Sequence, residues 1–205
     1  MKKLLVLTLS SLVFACGSGE DGNPVPPPVT PPETPPSLEA DICYLMSTSM
    51  GEIRLAIDLS NTQVTGQNFK QYADKGFYDG TLFHRAIDNF VIQGGGFTTE
   101  LTPKPADAPI KNEASVGLSN KRGTLAMART NDPDSATSQF FINILDNPQL
   151  DASASSYGYA VFGEVTQGME VVDQISIVET ATVKGMADVP KTEVLIDSLT
   201  EVTCN

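Results

Sequence analysis

Histidine occurs once in these 205 residues and cysteine three times, too few nitrogen and sulfur ligands for a zinc centre. Cations are scarce as well. Against 25 Asp and Glu stand 13 Lys and Arg, a formal charge of -12, which argues against a nucleic-acid partner and against electrostatic adhesion to anionic lipid. The Gly-Lys-Ser/Thr loop that cradles phosphate is missing, and so is the Rossmann glycine pattern; Gly94-Gly95-Gly96 continues wrongly for either. Asn131-Asp132-Pro133-Asp134 lacks the glycine and terminal glutamate of an EF-hand calcium loop and reads as a turn. Neither a metal nor a cofactor is expected. No internal repeat is visible.

The N-terminus has an organisation of its own. Met1-Lys2-Lys3 and the apolar run from Leu4 to Ala15 form a charged n-region and an h-region too short to span a bilayer, the pattern of a secretion signal. The run ends at Val13-Phe14-Ala15-Cys16-Gly17-Ser18, which resembles a bacterial lipoprotein signal. On that resemblance residues 1–15 are removed and Cys16 becomes the first mature residue, carrying lipid such as palmitate. The alternative is an ordinary signal peptide cleaved near Ala15, with Cys16 incidental. Residues 16–37 are rich in Pro, Gly, Thr and acidic side chains. They have too little apolar surface to offset the entropy of ordering and are expected to form an extended tether, stiffened by its Pro-Pro steps. The expected location is the cell envelope, with the protein anchored by lipid alone to a bacterial membrane, on the periplasmic side or in the outer membrane.

Residues 38–205 are enough for one closed core and too few for two large domains. Strand-like runs fall at Ile42–Ser47, Glu52–Leu59, Leu82–Ile87, Phe90–Gln93, Gly123–Ala128, Gln139–Ile144, Tyr159–Val165 and Thr192–Val202. A helix over Val64–Lys75 carries the stripe Phe69, Tyr72, Ala73 and ends at Gly76. A second, over Gly168–Ile177, carries Val171, Val172 and Ile175. Thr98 to Gly117, with three prolines, reads as irregular, and no strand is assigned between Ile177 and Thr192.

Two segments set polar side chains among aromatic and aliphatic ones: Phe83-His84-Arg85 with Phe90-Val91-Ile92-Gln93-Gly94-Gly95, and Ser138-Gln139-Phe140-Phe141-Ile142. With Gly76-Phe77-Tyr78-Asp79-Gly80-Thr81, Gly123-Thr124-Leu125-Ala126-Met127-Ala128-Arg129 and Val161-Phe162-Gly163, these motifs resemble, in order, those of a cyclophilin, a peptidyl-prolyl cis-trans isomerase. The resemblance runs from about Cys43 to about Thr203. It implies a mainly β fold, a closed eight-stranded antiparallel barrel capped by two α-helices. Periodicity alone supports only a mixed barrel or sandwich.

The resemblance also implies roles. Arg85 is the catalytic donor, suited to it because a guanidinium stays charged at any working pH and offers several donors in a rigid plane. Phe90, Val91, Phe141 and Leu150 form the proline pocket, and Gln93 and Gln139 bond substrate carbonyls or orient Arg85. Ala128 and Arg129 line the groove for residues preceding proline, and Tyr159 stands where many relatives have a pocket histidine. Gln149 replaces a tryptophan common in eukaryotic relatives, so weak cyclosporin inhibition is expected. Isomerisation transfers no proton, so His84 is expected to be a packed, hydrogen-bonded imidazole and not a base. Because the family's first and last strands are antiparallel neighbours, Cys43 is expected beside Cys204. A disulfide there and two unpaired thiols remain the alternatives. The implied function is non-covalent acceleration of X-Pro isomerisation in exported polypeptides by a monomer; the alternative is a proline-peptide binding module with little turnover.

Overall fold

The computed structural model describes residues 36–204, so the signal segment, Cys16 and nearly all of the tether lie outside the described residues. The elements run β1 (Ile42–Thr48), β2 (Gly51–Ile57), α1 (Gln63–Asp74), β3 (Thr81–Ala86), β4 (Val91–Thr98), β5 (Thr102–Pro103) and β6 (Thr124–Met127). They continue with β7 (Phe140–Asn143), β8 (Val161–Gln167), α2 (Met169–Ser176), β9 (Thr180–Val183), β10 (Met186–Pro190) and β11 (Val194–Val202).

Nine of these strands form one antiparallel sheet: eight run in the order β3, β11, β1, β2, β8, β6, β7, β4, with β4 pairing back onto β3, and the two-residue β5 is appended to β4. The β3–β4 pairing closes the barrel, and closure removes both sheet edges. Side chains alternate between its two sides. Phe140 and Ile142 point into the interior cluster, while Phe141 belongs to a second cluster outside it with Val91 and Ala126.

The interior is aromatic. Phe69, from the buried stripe of α1, lies 5.0 Å from Tyr78, 5.2 Å from Phe162 and 5.7 Å from Phe140 between ring centroids. Val171, Val172 and Ile175 of α2 join the same cluster. No side chain of the preceding residue caps α1. Glu113, 48 residues away, accepts hydrogen bonds from the amides of Val64 (3.1 Å) and Thr65 (2.7 Å) instead. A carboxylate there satisfies free N–H groups and complements the helix dipole.

Strand β4 runs five residues beyond Gln93, through the three glycines. A Cβ on Gly94 would stand 2.9 Å from the Leu82 carbonyl, and one on Gly96 would stand 2.5 Å from Gln139 Cγ. These glycines permit close approach between neighbouring chains and do not break the strand. The hairpin of β9 and β10 is absent from the sequence reading. Its turn, Lys184-Gly185, has positive φ at both positions, the geometry that matches strand twist in a two-residue hairpin. Its half-exposed strands lack the apolar alternation that would announce them.

Candidate active site

Register across four adjacent strands assembles the site. Arg85 on β3 pairs with Gln93 on β4, Gln93 with Phe141 on β7, and Phe141 with Ala126 on β6. The β3–β4 connection is short: the Phe90 amide donates to the Ile87 carbonyl at 3.2 Å and the Ile87 amide to the Val91 carbonyl at 3.0 Å. Asn89 takes φ 56° in this turn, a conformation asparagine tolerates better than most residues. The turn delivers Phe90 beside Arg85.

Arg85, Phe90, Val91, Gln93, Ala128, Arg129, Phe141, Leu150 and Tyr159 line one cavity of about 190 Å³. Nine of the ten side chains singled out in the sequence thus meet around a single space, too small for an extended ligand and suited to one ring. The tenth, Gln139, stands beside it: Gln93 Nε2 donates to Gln139 Oε1 at 2.9 Å, and both glutamines line a neighbouring cavity with Arg85.

One wall of the cavity is braced through Arg129. Its Nε donates to the Gly158 carbonyl at 2.9 Å, and its guanidinium lies 4.5 Å from the Tyr159 ring centroid. Tyr159 in turn meets Phe141 edge-on at 5.6 Å. Arg129 therefore holds an aromatic wall of the cavity that it also lines.

Buried asparagines that the sequence reading passed over fix the loop carrying Leu150. Asn143 Nδ2 donates to Thr124 Oγ1 at 2.9 Å, and Asn147 Nδ2 donates to Asn143 Oδ1 at 2.9 Å and to the Phe90 carbonyl at 3.1 Å. Asn120 donates to Asp151 Oδ1 at 2.9 Å. A network of this kind is stable when its members are satisfied. Nothing in the spacing of Asn120, Asn143 and Asn147 marks them, since asparagine is usually a surface or turn residue.

His84 is buried, 5% exposed, and packs its ring 4.7 Å from that of Phe97. The imidazole is packed as expected; of its two nitrogens Nδ1 has no hydrogen-bond partner. Burial lowers its pKa to about 4, with the nearby Arg85 charge adding to the effect and the Leu82 carbonyl opposing it. It is neutral at ordinary pH.

At the far end of the sheet Cys43 and Cys204 are joined by a disulfide with 5.2 Å between their Cα atoms. The pairing of β1 with β11 sets Cys43 opposite Val202 and so brings the two sulfurs together.

Residues 43–201 match the family model described as cyclophilin type peptidyl-prolyl cis-trans isomerase/CLD. A peptidyl-prolyl cis-trans isomerase of Acinetobacter baylyi is 54% identical over 154 residues, which are 75% of this chain and 82% of that protein. Peptidyl-prolyl cis-trans isomerase B of Escherichia coli is 49% identical over 156 residues, 75% of this chain and 95% of that one. Among solved structures, a Cryptosporidium parvum cyclophilin crystallised in the presence of the dipeptide Ala-Pro superposes with a TM-score of 0.66 at 24% identity, covering 79% of this chain and 99% of its own.

Proposed function

This chain belongs to the cyclophilin-type peptidyl-prolyl cis-trans isomerases, and from that premise we propose that Arg85 drives the isomerisation and that its clients are exported polypeptides met at a membrane surface. A prolyl amide prefers trans by only about 0.5–1 kcal/mol but rotates over a barrier of roughly 18–20 kcal/mol, because rotation breaks amide resonance. In the twisted state the amide nitrogen regains a lone pair. A donor aimed at it stabilises the twisted form more than either planar one, and that difference is catalysis.

Phe90, Val91, Phe141 and Leu150 receive the proline ring, and Ala128 and Arg129 border the extended chain before it. Arg85 supplies the donor. The observation that carries this assignment is that one cavity holds both the guanidinium and the apolar floor. The amide nitrogen is itself a member of the pyrrolidine ring, so a side chain reaching the same space can meet the nitrogen while the ring is held. A protease-coupled assay on the purified protein tests it. Arg85→Ala should lower kcat/KM by about 10²–10³-fold, the usual cost of removing a preorganised donor, and equal rates in both proteins would remove Arg85 from the mechanism.

The leader supports the cellular half of the proposal. A signal segment over residues 1–15, followed by Cys16 and a proline-rich tether, fits an enzyme held by acyl chains at the envelope, and two or more chains anchor stably where a single one binds reversibly. In that position the barrel meets X-Pro bonds of polypeptides that have just crossed the membrane.

A further inference from the structure

Arg85 forms one ion pair among the described residues: its Nε lies 3.7 Å from Asp188 Oδ2. The two glutamines expected to orient the guanidinium bond to each other instead. Some other group must hold an arginine that reaches into a pocket with nearly four flexible bonds.

Asp188 arrives there by an irregular route. The β9–β10 pairing loses register between Met186 and Val189, so one extra residue bulges from β10. At that bulge Asp188 adopts φ 60°, a left-handed conformation that L-residues avoid and that Asp and Asn tolerate best. Backbone of this kind clusters where a side chain must be aimed. Strand β10 packs on β3, and Asp188 shares a cavity of about 350 Å³ with Arg85, Gln93 and Gln139, directly beside the proline pocket.

We propose that Asp188 is a positioning residue for Arg85. Its carboxylate engages the guanidinium from the Nε side, which leaves the terminal amino groups turned toward the proline pocket as donors. The inference rests on the reading that Arg85 is the donor to the twisted amide. Asp188 touches no substrate in this scheme. A half-exposed pair at this separation contributes little to stability, so its effect belongs to the orientation of the donor and thus to turnover.

The test compares Asp188→Asn, which keeps the left-handed preference without the charge, and Asp188→Gly, which removes the side chain without backbone strain, each alone and in an Arg85→Ala background. An Ala-Ala-Pro-Phe anilide is the probe, with exchange at saturating peptide measured by NMR to separate kcat from KM. With Arg85 present, both variants should lose about three- to tenfold in kcat, the scale of a misaimed donor, with KM and the thermal midpoint unchanged. With Arg85→Ala, neither should change the residual rate. Asp188 variants as active as wild type, or equally damaging with and without Arg85, would overturn the positioning role. An Arg85→Ala variant as fast as wild type would instead overturn the reading on which it rests.

Discussion

At the scale of single residues, this site separates charge from proton transfer. Arg85 and His84 are sequence neighbours with opposite fates. The guanidinium is part exposed in its pocket, and the imidazole is buried against Phe97 with one nitrogen unpartnered. Burial drives the pKa of His84 from 6.5 to about 4, and the sign of the consequence follows from linkage. Above pH 6.5 the imidazole is neutral in both folded and unfolded chains and has no effect. Below it, the unfolded chain takes up a proton that the folded one refuses, so stability falls until the folded His84 also protonates near pH 4. The full loss is about 3 kcal/mol. Urea unfolding of wild type and His84→Gln between these limits measures it: the wild-type midpoint should fall more steeply with acid, and parallel curves would contradict the assignment. Activity near neutral pH should show no dependence on this group.

At the scale of elements, the barrel depends on pairing its first strand with its last. Strands β1 and β11 are antiparallel over six pairs of positions, and the disulfide fastens the outer end of that seam across a sequence separation of 161 residues. A covalent tie across so long a loop restricts the unfolded chain more than the folded one. Reduction, or Cys43→Ser with Cys204→Ser, should cost about 2–5 kcal/mol in stability while leaving the pocket around Arg85, to which neither cysteine contributes, active. Thermal melts with and without reductant read the first effect, and the isomerase assay below the melting point reads the second. The β9–β10 hairpin is a different kind of element. It lies outside the barrel order, and what it contributes is Asp188 at the side of Arg85.

At the scale of the whole molecule, the formal charge of -12 repels an anionic bilayer, so the envelope attachment we propose would have to come from acyl chains on Cys16. Wild-type protein expressed in a bacterial host should partition with membranes and show a mature N-terminus at Cys16 carrying lipid mass. Cys16→Ser should appear in the soluble fraction with undiminished isomerase activity. An unmodified residue 16 in the wild type, or a cleavage elsewhere, would end the anchored reading and leave the enzyme intact. Nothing in the barrel's chemistry requires the anchor.

Much of this protein is written locally. The strand-like runs marked all eight barrel strands, the 3.6-residue stripes marked both helices, and the ordered motifs named side chains that meet around one cavity, because each signal depends on residues close in sequence. Long-range decisions were closed to such reading. The barrel closes where β4 returns to β3, Glu113 caps a helix 48 residues before it, and buried asparagines pin the Leu150 loop. A bulged hairpin near the C-terminus sets a carboxylate against Arg85. The physical reason is the same in each case: a hydrogen bond or ion pair between distant segments leaves no periodic trace in either one, and exists only once the packed core has fixed both backbones within a few ångströms of each other.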